Sequence, residues 1–240
     1  RAGDTGISRA GITGGLCFIC NLLIPANILS PITTDSIPMR VKFCGTASLA
    51  DMRCAVDAGC DAVGFIMGVT YRSADVITPA EAAGMIRDLP PFIEPVAVTH
   101  LQGTEDLIRL VRDSHCTTLQ IQDTVKPAEL DIIRDALPYL KIVKAVHVMD
   151  ESAITAAKRY EPHADALILD TRTEEKIGGT GIPHDWKISA RIVAGSAIPV
   201  ILAGGLTPEN VAEAIRKVRP YGVDVHTGIK KGGIRNPERT

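Results

Sequence analysis

The 240-residue sequence is poor in aromatic residues, which make up 4% of the chain, and it has no excess of charge of either sign. Its 26 basic and 28 acidic residues alternate along the chain and give a formal net charge of −2. Proteins that bind single-stranded nucleic acid stack bases on aromatic side chains, and those that bind duplexes carry a basic face. The composition therefore predicts no nucleic-acid partner.

Long apolar runs and a dense cysteine framework are missing as well. The apolar stretch 16–24 is too short to cross a bilayer, so we expect no membrane partner. Six cysteines are too sparse for a disulfide scaffold in a chain of this length, which favours free thiols in a cytoplasmic protein. Cys17 and Cys20 form a lone CxxC pair without a second pair at zinc-binding spacing, so no metal site is predicted.

The first 38 residues differ in character from the rest. Residues 1–15 are rich in glycine and polar residues, and two arginines precede the apolar stretch in a pattern that loosely resembles a signal peptide. Three prolines between residues 25 and 38 would break any helix. We therefore predict a poorly ordered extension or leader over 1–38 and a folded domain over 39–240.

From residue 41 onward, short β-branched runs alternate with amphipathic segments. The predicted strands are 41–44, 62–67, 93–99, 118–122, 141–146, 166–170, 200–203 and 223–226. The predicted helices are 48–58, 79–88, 104–113, 127–136, 150–160, 185–195 and 208–217. Eight strands and seven helices in about 200 residues predict a (β/α)₈ TIM barrel near its lower size limit.

An open doubly wound sheet is the alternative to the barrel. Such a sheet usually carries a glycine-rich dinucleotide-binding turn after an early strand. Only one glycine follows the first strand here, in Cys44-Gly45-Thr46, which favours the barrel. The chain stops at Asn236-Pro237-Glu238-Arg239-Thr240, which is typical of the start of a helix, so we expect the eighth helix to be truncated.

The active site of a (β/α)₈ barrel lies at the C-terminal ends of its strands. Cys44 and Asp170 end the first and sixth predicted strands. A thiol opposite a carboxylate suits proton transfer in which a base accepts one proton and an acid donates another. The alternatives are a buried core thiol for Cys44 and a capping or turn carboxylate for Asp170.

Small turns follow the last two strands. Gly204 and Gly205 follow the seventh strand, and Thr227 and Gly228 follow the eighth. Glycine lets the backbone approach an anion closely, and free amides at a helix start can hold phosphate. Since these two loops are the usual phosphate site of the barrel, we predict phosphate binding there. The alternative is that the glycines only make tight turns.

Six motifs resemble, in the same order, those of the phosphoribosylanthranilate isomerase family, and the resemblance covers about residues 40–237. They are Val41-Lys42-Phe43-Cys44-Gly45, Asp61-Ala62-Val63-Gly64-Phe65, Leu169-Asp170-Thr171, Gly178-Gly179-Thr180-Gly181 with Asp185-Trp186, Ala203-Gly204-Gly205-Leu206-Thr207-Pro208-Glu209-Asn210-Val211, and Gly222-Val223-Asp224-Val225.

The resemblance implies a TIM-barrel enzyme of tryptophan biosynthesis, an intramolecular oxidoreductase of the aldose–ketose isomerase type. Such an enzyme converts N-(5-phosphoribosyl)anthranilate to 1-(2-carboxyphenylamino)-1-deoxyribulose 5-phosphate, an Amadori rearrangement without metal or cofactor. It further implies that Asp170 is the general acid and Cys44 the general base. The expected partner is a small phosphosugar substrate, and the expected assembly is a monomer or homodimer.

The sequence departs from the family at the anthranilate end. Asp75 stands where the family has an arginine that faces the anthranilate carboxylate, and Arg72 could replace that arginine through a longer loop. Gln122 stands where the fourth strand usually ends in histidine, and His226 precedes Thr227 where a serine is usual. Arg72 and Gln122 are the residues expected to contact the anthranilate.

Two other functions remain open on the sequence. A paralogue that isomerises another phosphorylated aminosugar would explain Asp75 and Gln122. A non-catalytic barrel that binds a phosphate ligand is the second alternative, although binding alone needs neither Cys44 nor Asp170.

Overall fold

The structure is a computed structural model that describes residues 39–69, 73–171, 184–231 and 234–240. Met39–Thr240 forms one compact unit. The extension predicted over 1–38 lies outside the described residues and stays a prediction. None of the helices in the described part of the chain is long and apolar enough to cross a membrane.

Eight parallel strands close into a barrel in sequence order, as the sequence predicts. They are β1 (Arg40–Phe43), β2 (Ala62–Ile66), β3 (Glu94–Thr99), β4 (Thr118–Ile121), β5 (Lys141–His147), β6 (Ala166–Asp170), β7 (Val200–Leu202) and β8 (Gly222–Val225). Strand β8 pairs with β1 and closes the barrel, with Lys42 opposite Asp224. Each predicted strand is therefore confirmed to within two residues at its ends.

Seven helices connect the strands in the part of the chain that the structure describes. They are α1 (Leu49–Asp57), α2 (Pro79–Ile86), α3 (Thr104–Ser114), α4 (Pro127–Ala136), α5 (Ser152–Tyr160), α6 (Trp186–Gly195) and α7 (Val211–Val218). Thr78 and Glu81 form a capping box at the start of α2, which the Thr-Pro-x-Glu sequence indicates. Helix α7 begins three residues later than predicted, because the side chain of Asn210 accepts a bond from Thr207 N (2.8 Å) and holds a turn there.

The strands bury both faces, as parallel strands do. One face packs against the helices in the large core, with Leu119, Ile142 and Leu167 among its fully buried residues. The other face forms two smaller clusters made only of residues in the strands or the loops beside them, so these clusters fill the barrel. Cys44 belongs to one of them, together with Ile66, Val96 and Val98. The side chain of Cys44 therefore points into the barrel.

No α-helix follows β8 among residues 226–231 and 234–240. Instead a 3₁₀ turn (Thr227–Ile229) leads into two short antiparallel strands, β9 (Lys230–Lys231) and β10 (Ile234–Arg235). Asn236 then begins a single helical turn: its side chain accepts from Glu238 N (2.9 Å) and its carbonyl from Thr240 N (3.1 Å). The predicted helix start is thus present as one turn.

Arg235 ties this C-terminal segment to the end of β1. Its guanidinium donates to the Cys44 carbonyl (3.1 Å) and to Thr46 Oγ1 (3.3 Å), and it lies 5.7 Å from the centre of the Phe43 ring. The residue is only 5% exposed. Charged donors form the stronger hydrogen bonds, so Arg235 fixes the backbone on which Cys44 sits.

Replacement of Arg235 by leucine should lower the free energy of unfolding by about 2 kcal/mol, the usual scale for hydrogen bonds to a charged group. Urea denaturation measures the change. Arg53→Leu on α1 is the matched control, because Arg53 is exposed. Equal stability of the two variants would show that Arg235 does not hold the C-terminal segment in place.

Candidate active site

Cys44 and Asp170 both lie at the C-terminal ends of strands and both are buried, at 5% and 7% exposure. The amide of Cys44 donates to the Val225 carbonyl (3.0 Å), which extends the pairing of β1 with β8 by one residue. Asp170 is the last residue of β6. Ile168, two residues before Asp170 on β6, belongs to a cluster that fills the barrel, so the Asp170 side chain points into the same interior as Cys44.

The carboxyl of Asp170 is held by two donors. Thr171 N donates to Oδ1 (2.7 Å) and Gln122 Nε2 donates to Oδ2 (3.0 Å). Burial raises the pKa of Asp170 to about 6, even though both bonds favour the ionised form. A carboxyl with a pKa near neutrality keeps a proton to donate, so Asp170 is suited to act as a general acid.

Gln122 is oriented by a second glutamine. Gln120 Nε2 donates to Gln122 Oε1 (3.1 Å), which leaves the Gln122 amide nitrogen to bond Asp170. Both glutamines project from the end of β4 and are buried. Gln122 is therefore a hydrogen-bond donor to Asp170 in this structure. Its contact with anthranilate stays a prediction.

The Cys44 thiol lies in an environment that opposes ionisation. Burial raises its pKa to about 11, Lys42 acts in the opposite direction, and Asp224 adds to the rise. The thiolate, not the thiol, is the base. Cys44 therefore needs a nearby positive charge in order to work as a base near neutral pH.

Lys42 and Asp224 are site residues that the sequence analysis missed. Lys42 Nζ lies 2.9 Å from Asp224 Oδ1, inside the barrel, and each side chain is 7% exposed. The signal was present in the sequence, because each charge interrupts an apolar strand, in Val41-Lys42-Phe43 and in Val223-Asp224-Val225. A charge in such a strand is costly to bury unless it is paired.

The two predicted phosphate loops lie against each other. A Cβ at Gly228 would overlap the carbonyl oxygen of Leu206, so only glycine lets the loop after β8 approach the loop after β7 this closely. Gly204 and Gly205 both have positive φ, at 82° and 66°. No described residue accepts a hydrogen bond from the amide of Gly204 or Gly205. Thr227 begins the 3₁₀ turn beside them.

Thr171 connects the acid to the start of α6. Its hydroxyl lies 3.2 Å from His184 Nδ1, and His184 Nε2 lies 2.6 Å from Ser189 Oγ. Burial lowers the pKa of His184 to about 4, so the imidazole is neutral at physiological pH. These bonds hold Thr171 in place, and the Thr171 amide is one of the two donors to the Asp170 carboxyl.

Asp75 is part of a charged cluster at the rim of the barrel. Its carboxylate accepts from His226 Nε2 (2.8 Å) and from Lys230, and the His226 ring lies against Gly45. Burial alone would raise the pKa of Asp75, but the bonds from His226 and Lys230 outweigh it and lower the pKa. The cluster joins the loop after β2 to the loop after β8 beside Cys44.

Two predicted features lie outside the described residues. Arg72 falls in the gap after β2, and Gly178–Gly181 falls in the gap after β6. Within the residues that the structure does describe, no group of three or more His, Cys, Asp or Glu side chains is arranged to hold a metal ion.

Comparison with known families identifies the barrel. The family model of N-(5'-phosphoribosyl)anthranilate (PRA) isomerase matches residues 41–239, which is the whole barrel. The chain belongs to the PRA isomerase family. This is an isomerase family of tryptophan biosynthesis, as the six motifs indicate.

Archaeal PRA isomerases are similar over most of the chain. N-(5'-phosphoribosyl)anthranilate isomerase 2 of Methanosarcina mazei is 43% identical over 194 residues, which are 80% of this chain and 86% of that protein. The isomerase of Methanothrix thermoacetophila is 37% identical over 198 residues, which are 82% of this chain and 92% of that protein.

Solved structures of PRA isomerases share the fold. The crystal structure of the Thermotoga maritima isomerase has a TM-score of 0.75 at 30% identity and covers 84% of this chain and 95% of that chain. A PRA isomerase in complex with reduced 1-(o-carboxyphenylamino)-1-deoxyribulose 5-phosphate has a TM-score of 0.71 at 28% identity, covering 84% of this chain and 94% of that chain.

The bond from Gln122 should set the titration of Asp170. Because Gln122 favours the ionised carboxylate, Gln122→Leu should raise the pKa of Asp170 above its value of about 6. Titration by carboxyl-carbon NMR, with Asp170→Asn to assign the signal, measures the shift. Gln120→Leu is the matched control and should move the titration less, since Gln120 contacts Gln122 and not Asp170. Equal shifts in both variants would contradict this arrangement.

Proposed function

We propose that this PRA isomerase converts N-(5-phosphoribosyl)anthranilate to 1-(2-carboxyphenylamino)-1-deoxyribulose 5-phosphate, with Asp170 as general acid and Cys44 as general base. The observation that carries the proposal is the buried carboxyl of Asp170, which has a pKa raised to about 6 and points into the same barrel interior as the Cys44 thiol. The two groups lie at the ends of β6 and β1, where barrel enzymes hold their catalytic residues.

In the first step Asp170 protonates the furanose ring oxygen. The bond from C1 to that oxygen breaks, the nitrogen lone pair forms a C1=N bond, and the sugar opens to a protonated Schiff base. Thr171 N and Gln122 Nε2 hold the carboxyl in place and stabilise the carboxylate that remains. The raised pKa keeps more of the carboxyl protonated near neutral pH, so that a proton is available for the transfer.

In the second step the Cys44 thiolate removes the proton from C2. The electron pair of that bond forms a C1=C2 double bond, and the C1=N electrons return to nitrogen, which gives an enolamine. The enolamine then loses the proton of the C2 hydroxyl and gains one at C1, so that C2 becomes a ketone. C2 is oxidised and C1 reduced within one molecule, which makes the enzyme an intramolecular oxidoreductase.

The phosphate of the substrate binds at Gly204, Gly205, Thr227 and Gly228 in this proposal. Two observations support it: no described residue accepts a hydrogen bond from the amides of Gly204 and Gly205, and the loop after β8 approaches that loop closely. A phosphate held there supplies binding energy remote from the reacting carbons, which can be used to position C2 against Cys44. Gln122 and Arg72 are proposed to contact the anthranilate end.

We also propose a cytoplasmic enzyme that works as a monomer or homodimer. The four described cysteines, Cys44, Cys54, Cys60 and Cys116, are free thiols, as is usual in a reducing compartment. One solved relative is described as mutually generated monomers of the dimeric isomerase of Thermotoga maritima, so both assemblies occur among similar structures.

Substitution of the acid or the base tests the catalytic pair. Cys44→Ala and Asp170→Asn should each lower kcat by about 10²–10⁴-fold, the usual contribution of a general acid or base. The assay is turnover of N-(5-phosphoribosyl)anthranilate together with rescue of a tryptophan auxotroph. Cys54→Ala is the control, because Cys54 lies on α1, outside the barrel interior. Near-wild-type turnover in either site variant would refute its assignment.

Substitution of Gly228 by alanine tests the phosphate site. The added methyl would force the loops after β7 and β8 apart, so KM for the substrate and the inhibition constant for inorganic phosphate should both rise about tenfold, with a smaller change in kcat. Gly195→Ala is the matched control, because a Cβ there meets nothing within 4 Å. Unchanged inhibition by phosphate in Gly228→Ala would place the phosphate elsewhere.

A further inference from the structure

A buried ion pair lies directly below Cys44. Lys42 on β1 and Asp224 on β8 are register partners where the barrel closes, and their side chains meet inside it. A buried ion pair adds little to stability, because desolvation of two charges offsets their attraction. The position of this pair beside a reactive thiol points to another role.

Lys42 and Cys44 share one space inside the barrel. They are two residues apart on β1, so both side chains project to the same face. Gly64 on β2 leaves this space open: a Cβ there would lie 3.0 Å from Lys42 Nζ and 3.1 Å from Cys44 Sγ. The ammonium, which pairs with Asp224, therefore approaches the same point as the thiol, and no side chain at position 64 separates them.

Charged groups reach Cys44 from several elements. From β6, Asp170 opposes its ionisation, as Asp224 does from β8, whereas Lys42 favours it. The rim cluster of Asp75, His226 and Lys230 lies beyond Gly45. Burial lowers the pKa of Lys42, but Asp224 and Cys44 outweigh it and raise the pKa, so Lys42 stays protonated and positively charged.

We propose that Lys42 is a positioning residue whose ammonium stabilises the Cys44 thiolate, and that Asp224 limits this effect because its carboxylate partly neutralises the ammonium. The inference rests on the proposed role of Cys44 as the base. The thiol proton passes to solvent before substrate binds, and the thiolate then accepts the C2 proton. In this proposal Lys42 and Asp224 act on the reaction through the Cys44 thiol.

The test is the titration of Cys44 in protein whose other five cysteines are replaced by alanine. Lys42→Met should raise the pKa of the thiol and lower its alkylation rate by iodoacetamide at neutral pH about tenfold or more, the equivalent of one pH unit. Asp224→Asn should lower the pKa of the thiol and raise its alkylation rate. Thiolate absorbance in the ultraviolet gives the titration, and Cys44→Ser gives the background.

Two further variants separate this role from a structural one. The double variant Lys42→Met with Asp224→Asn removes both charges together and leaves no unpaired buried charge. It should therefore fold even if one of the single variants does not. Its alkylation should stay slower than wild type, because the effect of Lys42 on the thiol is the larger. Lys144→Met removes another buried lysine, which faces Tyr160 and not the barrel interior, and should leave the Cys44 titration unchanged.

Turnover distinguishes failure of this inference from failure of the proposed function. If Cys44→Ala abolishes turnover but the thiol titrates alike in wild type, Asp224→Asn and the double variant, the role of Lys42 is wrong and the proposed function stands. If Cys44→Ala retains turnover, the base is misassigned and both fail. Opposite shifts in the two single variants, with kcat and not KM lowered in Lys42→Met, support the inference.

Discussion

The pairing of β1 with β8 is the interaction on which the site depends. It closes the sheet into a barrel, sets Lys42 opposite Asp224, and continues to the Cys44 amide, which donates to the Val225 carbonyl. Closure also brings the loop after β8 beside the end of β1. Without it Lys42 and Cys44 would lie at one edge of an open sheet, and Asp224 and the loop after β8 would lie at the other.

Burial has opposite consequences for the two proposed catalytic groups. A low-dielectric interior disfavours the charged form of any acid, so it raises the pKa of both the Asp170 carboxyl and the Cys44 thiol. This helps a general acid, which must carry a proton, and hinders a general base, which must have lost one. The amide donors around Asp170 and the ammonium of Lys42 moderate these two effects separately.

The predicted anthranilate end of the site shows how a departure from the family is accommodated. An unpaired Asp75 would repel the substrate carboxylate, but here it is bound by His226 and Lys230 at the rim. His226 is itself a departure, since it stands where a serine is usual. The side chains at these two departures are therefore hydrogen-bonded to each other.

The sequence by itself determined the order and type of the elements, the barrel, and the placement of Cys44 and Asp170 at strand ends, because local periodicity and turn residues encode them. It did not predict that Lys42 pairs with Asp224, that Gln122 bonds Asp170, or that Asp75 bonds His226. These residues are 182, 48 and 151 positions apart. Only closure of the barrel brings them together, since contacts between distant strands depend on how the whole sheet curves and not on any local pattern.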